Sequence, residues 1–173
     1  MTIRLATTAD LSALCDFYQQ VCLQQENDEY SPRWTWGDYP SKEYLSAKLN
    51  DAQVIINVIN EQIAAAGVLS VGEDPNYRGV PWHHHFLDSE VAILHLFAVG
   101  KAYRGQGIAQ QTLQGIFNQA RQNGQRVIHI DVIDHNLPAE KAYLKAGFKF
   151  NNEQILDYDD LGPTSAKLFE YLL

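Results

Sequence analysis

The stretch Glu90-Val91-Ala92-Ile93-Leu94-His95-Leu96-Phe97-Ala98-Val99-Gly100-Lys101-Ala102-Tyr103-Arg104-Gly105-Gln106-Gly107-Ile108-Ala109-Gln110-Gln111 decides how this chain folds. Val91 to Val99 carries one polar side chain, His95, in nine residues. Such a run reads as a strand covered on both faces, the central strand of a mixed sheet. Gly100 to Tyr103 makes a corner. Beyond it the apolar positions Ile108, Leu113, Ile116, Phe117 and Ala120 follow a period near 3.6, so a helix opens at Arg104 and lays one face on the sheet.

The join carries the chemistry. A helix N-terminus leaves about four backbone N–H groups unpartnered and concentrates roughly half a positive charge there. Gly105 and Gly107 let a ligand approach the backbone closely, and Arg104 adds a cation. Together they describe a seat for a phosphate or pyrophosphate, although an ordinary Gly-containing turn uses the same residues. Two other phosphate loops are excluded. Gln106 and Gly107 stand where a P-loop needs Lys and Ser/Thr, and Gln110 stands where a dinucleotide fingerprint needs its third Gly or Ala.

With 173 residues, 46% of them hydrophobic and 20% charged, the chain is expected to form one domain over 1–173 with a sizeable core. A formal charge of −8 argues against nucleic-acid binding, which depends on Lys and Arg neutralising phosphates, and mildly favours cationic small molecules. No apolar run reaches the ~18 residues of a membrane span, and Met1-Thr2-Ile3-Arg4 leads straight into a strand pattern. Cys15 and Cys22 sit seven apart in a helical pattern, about 10 Å along the axis and beyond disulfide reach. A reduced, cytoplasmic protein is the expectation.

The remaining elements follow from periodicity and punctuation. A strand at 2–6 precedes a helix capped by Thr8 and ending near Leu23. Ser41 caps a helix over 43–49. Strands at 52–59 and 62–71 are joined by Asn60-Glu61. After the central helix come a strand at 126–133, a helix at 139–146 opened by Pro138 and ended by Gly147, and strands at 148–151 and 166–171 around an acidic loop. Two long loops remain. Gln24–Pro40 holds Glu26, Asp28, Glu29, Tyr30, Trp34, Trp36 and Tyr39, which either plug the core or line a pocket for an amine. Gly72–Ser89 holds Trp82 and the run His83-His84-His85, whose neighbours point to opposite sides and suit no single metal ion.

Arg104-x-x-Gly107-x-Ala109 after an apolar strand resembles the acetyl-CoA signature of the GNAT superfamily of N-acetyltransferases. Asn136-Leu137-Pro138-Ala139-x-x-x-Tyr143-x-x-x-Gly147-Phe148 resembles the family's second conserved segment, one helix and one strand later. Segments Trp36–Pro40 and Leu94–Leu96 look like a bacterial subgroup of unassigned substrate.

The resemblance covers nearly the whole chain. It implies an α/β (α+β) fold: a mixed, mostly antiparallel twisted sheet of about seven strands flanked by about four helices. It implies acetyl-CoA as cosubstrate, no metal, and a primary amine as acceptor. Phe97, Ala98 and Val99 would pair with the pantetheine arm. The backbone of Arg104, Gly105, Gln106, Gly107, Ile108 and Ala109 would hold the pyrophosphate, with Asn136 and Ala139 beside the reactive end. Tyr143 would protonate the leaving thiolate.

The general base is His95 or, at the strand's beginning, Glu90, with Asp131 a lesser candidate. Glu29, Tyr30, Trp34, Trp36 and Trp82 are the candidate acceptor contacts. A non-catalytic acyl-CoA sensor would keep the pyrophosphate seat without acid or base. Oligomeric state stays open, with a homodimer as the family-level expectation.

Overall fold

The computed structural model describes residues 1–25 and 28–173. Its elements run β1 Thr2–Leu5, α1 Leu11–Gln25, α2 Lys42–Asp51, β2 Gln53–Ile59, β3 Gln62–Val71, β4 Val91–Val99, α3 Ile108–Gln122, β5 Val127–Ile133, α4 Leu137–Ala146, β6 Lys149–Tyr158 and β7 Gly162–Leu172. The seven strands form one sheet in the order β1-β2-β3-β4-β5-β7-β6, in which only the β4–β5 pair is parallel. Sequence order and sheet composition thus match the expectation. No helix among the described residues is long and apolar enough to cross a membrane.

The element boundaries differ from the expectation in several places, among them β7, which begins at Gly162 rather than at 166. Thr7, not Thr8, caps the first turn, its N–H donating to the Asp10 carboxylate at 2.8 Å. α3 begins at Ile108 rather than Arg104, because Gly105 and Gly107 both take left-handed φ and break the helix before it. α4 begins at Leu137, with Asn136 as its cap position. β6 is ten residues long instead of four. It is an edge strand paired with β7 from Lys149 through Tyr158, so one side is wet and its Asn and Glu residues hide the alternation.

Helices cover both faces. On one, Leu113, Ile116 and Phe117 of α3 pack on Leu94, Ile130 and Phe169. On the other, Leu14 and Tyr18 of α1 and Leu45 of α2 pack on Ile56, Val68 and Leu96. Each fully buried aliphatic side chain contributes about 1.5–3 kcal/mol to that arrangement. A third cluster places Tyr77, Val80 and Trp82 of the 72–90 loop over Val91, Ile93 and Leu168.

Two irregularities open the middle of the sheet. β4 and β5 pair only at Val91–Val127, Ala92–Ile128 and Ile93–His129, and then part. On β4's other side the register jumps from Val68–His95 to Ala66–Ala98, leaving Leu96 and Phe97 against Gly67. Leu96 has φ +49°, a left-handed conformation costing about 1–2 kcal/mol for a residue with a Cβ. The fully buried Tyr18 hydroxyl donates to the Leu96 carbonyl at 2.7 Å, a bond that offsets about 1 kcal/mol of that cost. The bulge exchanges the faces of β4: Leu94 and Phe97 face α3, whereas Leu96 and Ala98 join the α1 cluster.

Candidate active site

Where β4 and β5 separate, the sheet is breached by a cavity of about 1120 Å³. Its walls come from both faces. From the α3 side they include Arg104, Gly105, Gly107, Ile108, Ala109 and, on α4, Asn136, Ala139 and Tyr143. From the α1 side they include Trp34, Tyr39, Asp74, Tyr77, His95, Asp131 and Tyr158.

On the α3 side the wall is mostly backbone. Gly107 caps α3 at φ +78° and Gly105 precedes it at φ +75°, with open space where a Cβ would stand at either. Gln111 N–H reaches the Gly107 carbonyl at 3.2 Å, so those of Ile108, Ala109 and Gln110 precede the first turn's carbonyls. This is a positively polarised nest with open space before it, an arrangement suited to an anion. Arg104 is less free than expected. Its Nη1 donates to Asp28 Oδ2 at 2.7 Å and its Nε to the Val99 carbonyl at 3.4 Å, which share its charge. The Gln106 side chain turns back to the Ala102 carbonyl at 2.8 Å, leaving that residue only its backbone to offer.

Tyr143 projects from α4 with its ring 5.9 Å from Phe97 and 5.4 Å from Phe148. Burial pushes its phenol well above the ordinary value, so at neutral pH it is a donor and never an acceptor of protons.

On the α1 side the wall is made of side chains. His95 Nε2 lies 3.9 Å from Asp74 Oδ2. Burial lowers the His95 pKa, and the nearby Asp131 and Asp74 carboxylates oppose that shift without reversing it. The imidazole is therefore neutral at pH 7 and able to take a proton. Asp131 of β5 accepts hydrogen bonds from the Tyr77 hydroxyl on one oxygen and the Tyr158 hydroxyl on the other. Sequence reasoning missed both tyrosines, one in the 72–90 loop and one in the hidden half of β6. The available signal was Asp131 itself, the sole acid in Val127–Ile133.

Glu29, Tyr30 and Trp34 line the cavity. Trp36 does not. It is half-buried and packs against the edge of the α1 cluster. Trp82 is also removed from the site, buried and stacked on His129 with ring centroids 3.6 Å apart. Glu90 is removed as a base: it accepts from Leu87 N–H at 3.0 Å and pairs with Arg126 at 3.3 Å, at the closed end of the β4–β5 pair. Glu26 lies outside the described residues. The histidine run pins its loop one residue at a time, His84 to Glu170 at 2.9 Å and His83 to the Phe150 carbonyl at 3.2 Å. Both cysteines are free and lie on α1. Burial raises the Cys22 thiol to about 11, which keeps it from serving as a nucleophile.

Comparison with known proteins agrees with the fold. A structure from Streptococcus agalactiae, described as an acetyltransferase of the GNAT family, superposes with a TM-score of 0.80 at 18% identity, covering 99% of this chain and 95% of that one. YncA from Salmonella typhimurium, described as a putative acetyltransferase with its cofactor acetyl-CoA, superposes with a TM-score of 0.68 at 17% identity, covering 100% and 94%. In sequence, an uncharacterized N-acetyltransferase of Bacillus subtilis, YdgE, is 29% identical over 96 residues; the match spans 56% of this chain and 55% of that protein. The family model for acetyltransferase (GNAT) proteins matches residues 11–148, which takes in α1, the β4–α3 corner and all of α4. The chain belongs to the acetyltransferase (GNAT) family.

Proposed function

We propose that this protein transfers an acetyl group from acetyl-CoA to the primary amine of a small acceptor, by direct attack. One observation carries the reading: a single cavity joins an anion-binding helix N-terminus on one face of the sheet to a neutral histidine and two carboxylates on the other. Acetyl-CoA, when bound, supplies an acetyl group activated as a thioester. YncA, described with that coenzyme, supports the choice of donor.

The protein's residues then divide the work. The N–H groups from Arg104 to Ala109 hold the pyrophosphate. Phe97, Ala98 and Val99 offer the β4 edge that β5 has left, where the pantetheine arm pairs as an added strand. Asn136 and Ala139 border the reactive end, and Tyr143 keeps its proton for the sulfur. His95 accepts the proton that the ammonium gives up before attack, and the second nitrogen proton, lost as the amide forms, replaces the one Tyr143 gives to sulfur. Asp74 and Asp131 favour an acceptor that arrives as an ammonium ion, and Glu29, Tyr30 and Trp34 border its path.

The test is calorimetry with acetyl-CoA followed by a panel of amines monitored for CoA release. Micromolar binding and turnover with at least one small cationic amine are expected. Tight binding without turnover on any acceptor would make the chain an acyl-CoA sensor. No heat at millimolar coenzyme would remove the donor assignment and the enzyme reading with it.

A further inference from the structure

Building on the acetyl-transfer reading, we propose that Tyr18 of α1 is a positioning residue for the acyl carbonyl, acting through the peptide between Leu96 and Phe97. Tyr18 is fully buried, and its hydroxyl donates to a carbonyl 78 residues away in sequence. That carbonyl belongs to Leu96, the residue of β4 with left-handed φ. A strand carbonyl normally lies in the plane of the sheet and meets a neighbouring strand. This one leaves the sheet for the α1 layer.

The geometry of a trans peptide fixes the consequence. Its C=O and N–H point in opposite directions. With the Leu96 carbonyl drawn toward α1, the Phe97 N–H points to the α3–α4 side. The Phe97 ring lies on that side, 5.9 Å from Tyr143. The register jump against Ala66 and Val68 leaves Leu96 and Phe97 without paired residues on β3, opposite Gly67. Gly67, opposite, makes room for the turned segment: a Cβ there would stand 3.2 Å from Phe97 Cδ2 and from Leu94 Cδ1.

An N–H held in this way is a preorganised donor for a carbonyl oxygen that gains negative charge during transfer. Burial also keeps Tyr18 protonated, so the tether persists across the working pH range. Without it, the Leu96 peptide relaxes toward ordinary strand geometry and the N–H swings away.

The experiment reads polarisation directly, independently of any acceptor. Acetyl-CoA labelled with ¹³C at the acetyl carbonyl is bound to the parent and to Tyr18→Phe, which removes only the hydroxyl. A downfield carbonyl shift is expected in the parent and most of it lost in Tyr18→Phe. The coenzyme Kd should stay within about twofold, and kcat should fall by about ten- to a hundredfold, short of deleting the donor outright. Leu14→Ala, in the same core but with no hydroxyl to tether the Leu96 carbonyl, should cost more stability and keep the shift.

In the parent alone, the Phe97 amide proton should move downfield with acetyl-CoA and not with CoA, a readout that survives if Tyr18→Phe fails to fold. An unmoved Phe97 amide, an unchanged shift in Tyr18→Phe, or an equal loss in Leu14→Ala would each overturn the assignment while leaving acetyl transfer intact. Absence of coenzyme binding would overturn both.

Discussion

On the α3–α4 face the cavity is walled by backbone; on the α1–α2 face it is walled by side chains. The first wall is local. Six consecutive residues, Arg104 to Ala109, set its shape, and two left-handed glycines aim N–H groups that any residue would carry. The second wall is assembled from five distant places: Trp34 and Tyr39 from the segment before α2, Asp74 and Tyr77 from the 72–90 loop, His95 from β4, Asp131 from β5 and Tyr158 from the far end of β6. The contrast teaches that a common donor can be held by a short, transferable corner, while acceptor chemistry depends on how the whole sheet brings separate side chains together.

The largest effect that would break this division is at His95. If the side-chain wall does the proton chemistry, His95→Gln should lower kcat/KM by about 10²- to 10⁴-fold and leave the coenzyme Kd unchanged. Only neutral imidazole accepts a proton, and burial depresses its pKa below the ordinary value near 6.5. In the parent, kcat/KM should therefore stay level as pH falls through 7 and decline only below about 6.5. That acid limb should vanish in the variant. An identical pH profile would move the base to Asp131, on the same face.

Tyr143→Phe comes next, and it qualifies the comparison, because Tyr143 is the side chain that acts from the backbone wall. Its raised pKa makes it a proton donor at every working pH, so kcat should drop about a hundredfold with no new limb below pH 9. Unchanged kcat would leave that wall with binding alone.

The two walls were unequally legible in the sequence for the same reason that they differ physically. The α3 corner is a contiguous pattern, so Arg104-x-x-Gly107-x-Ala109 after an apolar run was enough to find it. The core was legible as well, since Leu113, Ile116 and Phe117 keep helical spacing. The bulge was not. Alternation along β4 puts Leu94, Leu96 and Ala98 on one face, and nothing in a leucine announces φ +49°; the hydrogen bond that meets the turned carbonyl comes from Tyr18 in another layer. Trp82 and Trp36 are aromatic loop residues like those of the cavity, yet both pack on hydrophobic clusters away from it, Trp82 buried and Trp36 half-buried. Tyr158 was hidden because β6 is an edge strand without clear alternation.

Gly107→Val tests the backbone wall by itself. A β-branched residue at φ +78° costs about 1–2 kcal/mol and displaces the first N–H groups of α3, although the space beyond is open. Acetyl-CoA should bind about tenfold more weakly, equivalent to about 1.4 kcal/mol. The acceptor KM and the acid limb of His95 should be untouched. A shift in that limb would show that the walls are coupled, contrary to the division drawn above.

Glu90→Gln should have the smallest effect, and its smallness is informative. The carboxylate sits just before β4, with Val91 to Ile93 still paired to β5 between it and the opening, about 10 Å of strand. Its pKa is lowered, first by the Leu87 N–H and then by Arg126, both on the loop side. Glutamine keeps an oxygen for Leu87 N–H and gives up only a pair with an exposed arginine, an interaction screened by solvent and salt. Measured kcat/KM should stay within about twofold of the parent at low and high salt alike. A tenfold loss would mean that the acceptor wall reaches around the closed end of the β4–β5 pair, and His95 would then share the proton chemistry with a residue the cavity does not touch.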